Sequence, residues 1–138
     1  MSAMRVSRHA PACNVIKDDN GIITKVFVAG GWNTDAGYLK STEIYDLSDA
    51  SWTDGPDFVS AIYNSKMITA PSSSIYAAFI ITGMRDADRQ KDIDGISKDL
   101  TQWTKLGSIE AERAAATVLT IPPNMFVGCT KASMGKIS

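Results

Sequence analysis

A single histidine, His9, bounds the acid–base chemistry this chain can perform. A nucleophile, histidine and carboxylate arrangement would have to use it, and its neighbours Arg8 and Ala10 form no recognisable signature, so no catalytic residue is assigned. Asp86, Asp88, Asp92 and Asp94 alternate as oxygen ligands would. A calcium loop also needs a glycine and a later glutamate, and the run Arg89 to Lys91 interrupts the series, so these carboxylates read as a charged connector and no metal is expected. Cys13 and Cys129 stand at opposite ends without a CxxC spacing, which supports neither a zinc site nor a disulfide framework and leaves two reduced thiols as the expectation. No Walker-type glycine-lysine loop and no GxGxxG is present to cradle a phosphate, and no cofactor is implied.

The remaining capacity is for binding, and composition limits the partner. With 14 Lys and Arg against 15 Asp and Glu the formal net charge is −1, which offers no electrostatic footprint for nucleic acid or an anionic membrane. At 138 residues, 44% hydrophobic and 21% charged, the chain has the length of one domain or a piece of one and the composition of an ordinary globular protein. Arg5, Arg8 and His9 are not followed by the apolar stretch of an export signal, and the longest apolar run, Ile75 to Ile81, is too short to cross a bilayer. No Asn-x-Ser/Thr acceptor occurs, so a soluble, cytoplasmic protein is expected.

The elements that must position any binding residues are strands. Ile23 to Val28, Thr42 to Tyr45, Ile75 to Ile81 and Ala116 to Ile121 are short runs rich in β-branched and aromatic residues. Between them lie Asp18-Asp19-Asn20-Gly21, Pro71 to Ser74 and Pro122-Pro123-Asn124, whose side chains favour chain reversals. Helical periodicity never persists for two turns.

The strands also repeat. Val26 to Ala29 closes on the diglycine Gly30-Gly31, and Tyr45 and Trp52 follow; Phe79 to Thr82 closes on Gly83, and Ile96 and Trp103 follow at the same spacing. The glycines Gly31 and Gly83 are 52 residues apart and the tryptophans 51. A third start lies at Arg113 to Ala116 and reaches Met125 to Gly128. A glycine at the end of a buried strand suits a close backbone approach, and a tryptophan at each repeat suits wedging between units with its indole N–H on a backbone carbonyl.

This pattern resembles the kelch repeat, in which each unit of roughly 50 residues is one four-stranded blade of a β-propeller. The resemblance implies an all-β fold, a partial β-propeller of four-stranded antiparallel blades. Blade 1 is expected over residues 4–58, blade 2 over 59–110, and the start of blade 3 over 111–138. In the second unit Thr82-Gly83 replaces the diglycine and Ile96 the tyrosine. Kelch proteins commonly dock ligands on the loops of one propeller face. By that resemblance the face here would present Trp32, Asn33, Arg85 and Asp86, joined by Arg8, Asn64 and Arg113 at the starts of the three innermost strands.

The resemblance further implies a protein-interaction module for a protein or peptide partner. It points to part of a ubiquitin-ligase adaptor or an actin-associated protein, and not to an enzyme. The alternative is part of a sugar-processing kelch-type enzyme whose catalytic residues lie outside this chain. Propellers close with about four to eight blades, so two and a half leave apolar faces and strand edges open. The residues are therefore expected either to be a piece of a longer kelch protein or to complete the ring by self-association, and the sequence leaves both open.

Overall fold

The computed structural model describes residues 2–86 and 88–113, and every regular element among them is a β-strand. In chain order the strands are β1 (Ala12–Lys17), β2 (Ile23–Ala29), β3 (Trp32–Asn33), β4 (Gly37–Tyr38), β5 (Thr42–Asp46), β6 (Ser51–Asp54), β7 (Ile62–Tyr63), β8 (Lys66–Thr69), β9 (Tyr76–Arg85), β10 (Asp88–Ser97) and β11 (Trp103–Arg113). No helix among these residues is long and apolar enough to cross a membrane.

The first sheet has the order β1-β2-β5-β6, antiparallel throughout, and β3 and β4 form a small hairpin in the connection between β2 and β5. The second sheet has the order β11-β10-β9-β7, and β8 also pairs with β9. Short turns join β1 to β2, β5 to β6 and β9 to β10. At the first turn the Asp18 carboxylate accepts from the backbone N–H groups of Asn20 and Ile22, both at 2.9 Å, while Gly21 takes φ +80°. The expected run Ala116 to Ile121 and the bulk of the expected third unit, 114–138, lie outside the described residues.

One core joins the sheets. Ala12, Ile16, Phe27 and Ala29 of the first sheet cluster with Ile62, Met67, Ala78, Ile80 and Ile96 of the second, and Phe58 comes from the chain between them. Trp103 is wedged at this junction as expected, its ring 4.1 Å from Phe58 and 5.7 Å from Phe27 by centroid, with its indole N–H donating to Pro56 O at 2.9 Å. Trp52 repeats the arrangement one unit earlier by donating to Ser2 O at 3.0 Å while its ring lies 5.1 Å from Tyr45. Gly30 and Gly83 occupy the positions where a side chain would not fit. Gly30 has φ +63° and a Cβ there would strike Ile62; Gly83 has φ +135° and a Cβ would strike Ser65.

A buried ion pair ties the N-terminal segment to the first sheet. The side chains of Arg8 and Glu43 are 0% and 1% exposed, and Arg8 Nη2 lies 2.9 Å from Glu43 Oε1. Arg8 also donates from Nε to Glu43 Oε1, from Nη1 to Gly30 O and Ser41 O, and from Nη2 to Ser41 Oγ. Glu43 in turn accepts from the backbone N–H of Arg5 at 2.7 Å and of Val6 at 3.2 Å. A fully buried charge is tolerated only with this degree of pairing.

Arg8→Ala is expected to cost about 3–5 kcal/mol, because it leaves Glu43 charged and unpaired in the interior. Arg5→Ala breaks only the exposed Arg5–Asp54 pair and is expected to cost no more than about 1 kcal/mol. Urea unfolding of the two variants, followed by tryptophan fluorescence, measures the contrast.

Candidate interaction site

The chain reversals that follow β2, β6 and β9, together with the segment leading into β1, gather at one end of the two sheets. Gly31 N–H donates to Ile62 O, Ile62 N–H to Leu39 O, Asn64 N–H to Ala10 O and Asp86 N–H to Ala61 O, at 2.8 to 3.3 Å. His9 and Trp32 exchange both backbone hydrogen bonds, at 2.8 and 3.0 Å. These bonds stitch the loops of both sheets into one surface.

The β3–β4 hairpin gives that surface its shape. Asn33 Oδ1 accepts from the backbone N–H of Asp35 and Ala36, and Gly37 turns the chain with φ +71°, which sets Trp32 directly across from Tyr38. Tyr38 lies 5.6 Å from Tyr63, and Tyr63 lies 6.4 Å from His9. Trp32 and Tyr38 remain 37% and 42% exposed. The result is a surface on which the rings of Tyr38, Tyr63 and His9 follow one another and Trp32 stands across the hairpin from Tyr38, with polar atoms at the ring edges. Such rings offer large contact area at small conformational cost, the chemistry of a binding surface.

The residues expected on this face divide into two groups. Trp32, Asn33, Asn64 and Asp86 are at the loop end; Asn64 and Asp86 both hold positive φ, 54° and 48°, and Asp86 Oδ1 accepts from Ala61 N–H at 3.1 Å. Arg8 reaches the same end by its backbone but is corrected from the face to the interior, since every one of its donor nitrogens is spent on the sheet. Arg113, expected to open a third innermost strand, is the last residue of β11 and stands opposite Gln90. His9, Tyr38 and Tyr63 are the additions. Their signal was adjacency in sequence to Arg8, to the Trp32 connector and to Asn64, combined with the aromatic enrichment of binding surfaces.

Arg85 also leaves the solvent-facing set. Its Nη1 lies 3.2 Å from Asp92 and its Nη2 2.8 Å from Asp94, while Lys105 lies 2.9 Å from the other Asp92 oxygen. The buried Nε–H of Arg85 meets no acceptor among the described residues. It borders a small cavity lined by Ile62, Ser65, Gly83, Gln90 and Asp94. Asp94 occupies the place in the second sheet that Glu43 holds in the first, two residues before Ile96 as Glu43 is two before Tyr45. Burial pushes the Asp94 carboxyl above its ordinary value, against the pull of Arg85. No three His, Cys, Asp or Glu among the described residues are grouped to hold a metal ion.

The raised Asp94 carboxyl has a definite sign in stability. The folded state holds its proton to higher pH than the unfolded chain, so stability falls as pH rises from about the unfolded value to the folded one. Asp94→Asn removes that dependence. Relative to the wild type, the variant is expected to gain stability between about pH 4 and pH 7, with the other carboxylates cancelling in the comparison. Paired urea titrations at the two pH values check it, and a constant difference would contradict the assignment.

Two comparisons bear on identity. No curated protein matches the chain. The family model described as the Kelch motif matches residues 24–58, which run from the start of β2 through β5 and β6 to Phe58 and include the diglycine, Glu43, Tyr45 and Trp52. The segment 24–58 is similar to the Kelch motif, and the all-β, antiparallel fold around it is consistent with a partial propeller of kelch-type blades.

Proposed function

We propose that the chain is a protein-interaction module that binds a protein or peptide through the aromatic end of its sheets. The observation that carries this reading is the patch of Trp32, Tyr38, Tyr63 and His9, held in place by backbone hydrogen bonds between the loops. Tyr and Trp are enriched at the energetic centres of protein interfaces. The kelch motif supports the same reading, since kelch repeats typically serve as protein-binding scaffolds. Within that reading the module acts in the cytoplasm as the substrate-recognition part of a ubiquitin-ligase adaptor or as an actin-associated element. Blade 1 spans 4–58 and blade 2 begins at 59, with a third unit expected from 111. The second reading, part of a sugar-processing enzyme, would draw its catalytic residues from outside this chain, since Asp92 and Asp94 are both tied to Arg85.

Displayed peptide libraries selected on the immobilised chain provide a ligand for the test. Trp32→Ala and Tyr38→Ala are each expected to weaken the selected peptide at least about tenfold, the scale of an interface anchor, with the melting temperature unchanged. Calorimetric titration reads the affinity, and retained binding in the double variant would rule the patch out. Preferential binding of oligosaccharides over peptides would favour the enzyme reading.

A further inference from the structure

The loops at the aromatic end place three rings in register. His9 pairs with Trp32 across an isolated antiparallel bridge, and Trp32 pairs with Tyr38 in the β3–β4 hairpin. Residues directly opposite one another in such a ladder point to the same face, so His9, Trp32 and Tyr38 share one side, with His9 and Tyr38 two strand spacings apart, about 9–10 Å. Tyr63 enters from the next connection, its ring 5.6 Å from Tyr38 and 6.4 Å from His9. It is tilted by 59° to the first ring and 30° to the second, which makes a ridged surface and not a flat platform.

The hydrogen-bonding capacity of this surface is one-sided. The carbonyl oxygens of His9, Ala10, Trp32, Leu39 and Ala61 each accept a backbone N–H from a neighbouring loop. The indole N–H groups of Trp52 and Trp103 reach backbone carbonyls, whereas that of Trp32 meets no acceptor among the described residues, and neither do the hydroxyls of Tyr38 and Tyr63. Donors are therefore free at the ring edges, while the carbonyls around them are already committed.

We propose that the ligand of this end is a proline-rich segment in the polyproline II conformation, an inference that rests on the interaction-module reading and names its partner. Such a helix has three residues per turn and rises about 3.1 Å per residue, so residues i and i+3 fall on one edge about 9 Å apart, which matches the span from His9 to Tyr38. Its proline rings are apolar surface for the aromatic faces. Its backbone carbonyls carry no internal hydrogen bonds and suit the Trp32, Tyr38 and Tyr63 donors, and each proline has no N–H to leave unsatisfied. An extended strand, with an N–H at every residue, would find few open acceptors here. The polyproline II helix is also preformed, so little ordering entropy is lost on docking.

Titration of decaproline into the nitrogen-15-labelled 138-residue chain tests the proposal, read from the indole resonances of the 3 tryptophans in a proton–nitrogen correlation spectrum. The Trp32 resonance is expected to shift saturably while those of Trp52 and Trp103 stay in place, and a glycine–serine decamer should move none of them. Tyr63→Phe keeps the ring and removes one donor, and is expected to weaken decaproline about two- to tenfold. Trp32→Ala is expected to weaken it at least about tenfold. Absence of a saturable Trp32 shift overturns the proposal, as does an equal response to the glycine–serine decamer. Library-selected peptides that lack proline, yet lose affinity for the Trp32→Ala, Tyr38→Ala double variant, also overturn it while upholding the interaction-module reading. Selected peptides indifferent to that variant overturn both.

Discussion

The first sheet and the loop end above it depend on the buried pair of Arg8 and Glu43. Neither charge could be placed in the interior alone, since the loss of hydration would amount to several kcal/mol per ion. The pair is acceptable because the guanidinium also reaches Gly30 O, Ser41 O and Ser41 Oγ, and because the carboxylate accepts two backbone N–H groups from residues 5 and 6. These contacts fix three chain segments at once. They set the approach to β1, the glycine turn after β2 and the start of β5, and the Trp32 and Tyr38 hairpin springs from the second of these. The interaction surface is therefore positioned by a charge cluster that never touches solvent.

The second sheet solves the same problem with different residues. Asp94, shorter than Glu43 by one methylene, receives its counter-charge from Arg85 on the neighbouring strand β9 and not from a preceding segment. Arg85 must also serve Asp92, and its geometry leaves the Nε–H without an acceptor among the described residues. Fewer groups converge on Asp94 than on Glu43, and burial dominates its titration. The recognised kelch motif accordingly falls on the first sheet, where the diglycine, the glutamate and the tyrosine all stand together.

Much of this was legible in the residue order. The spacing of Gly31 and Gly83 and of Trp52 and Trp103 located the repeating unit, and both indoles reach backbone carbonyls as the repeat implied. The role of Arg8 was hidden because a lone arginine before a strand looks the same whether it faces water or a buried glutamate 35 residues away. Tyr63 was hidden for a related reason, since its partner Tyr38 lies in a different connection and the two are brought together by backbone hydrogen bonds such as Ile62 N–H to Leu39 O. The end of β11 escaped notice because Lys105, Gly107 and Glu110 break the apolar alternation that marks a strand, although pairing with β10 continues to Arg113.

Both indole N–H groups point backward along the chain, Trp52 to Ser2 and Trp103 to Pro56. The four strands of the first sheet, its ion pair and its indole bond all fall within residues 2–54. During synthesis, every partner needed to close that sheet emerges from the ribosome ahead of the strands of the next one. Each new unit then finds a finished surface to fold against, so assembly can follow the direction of translation.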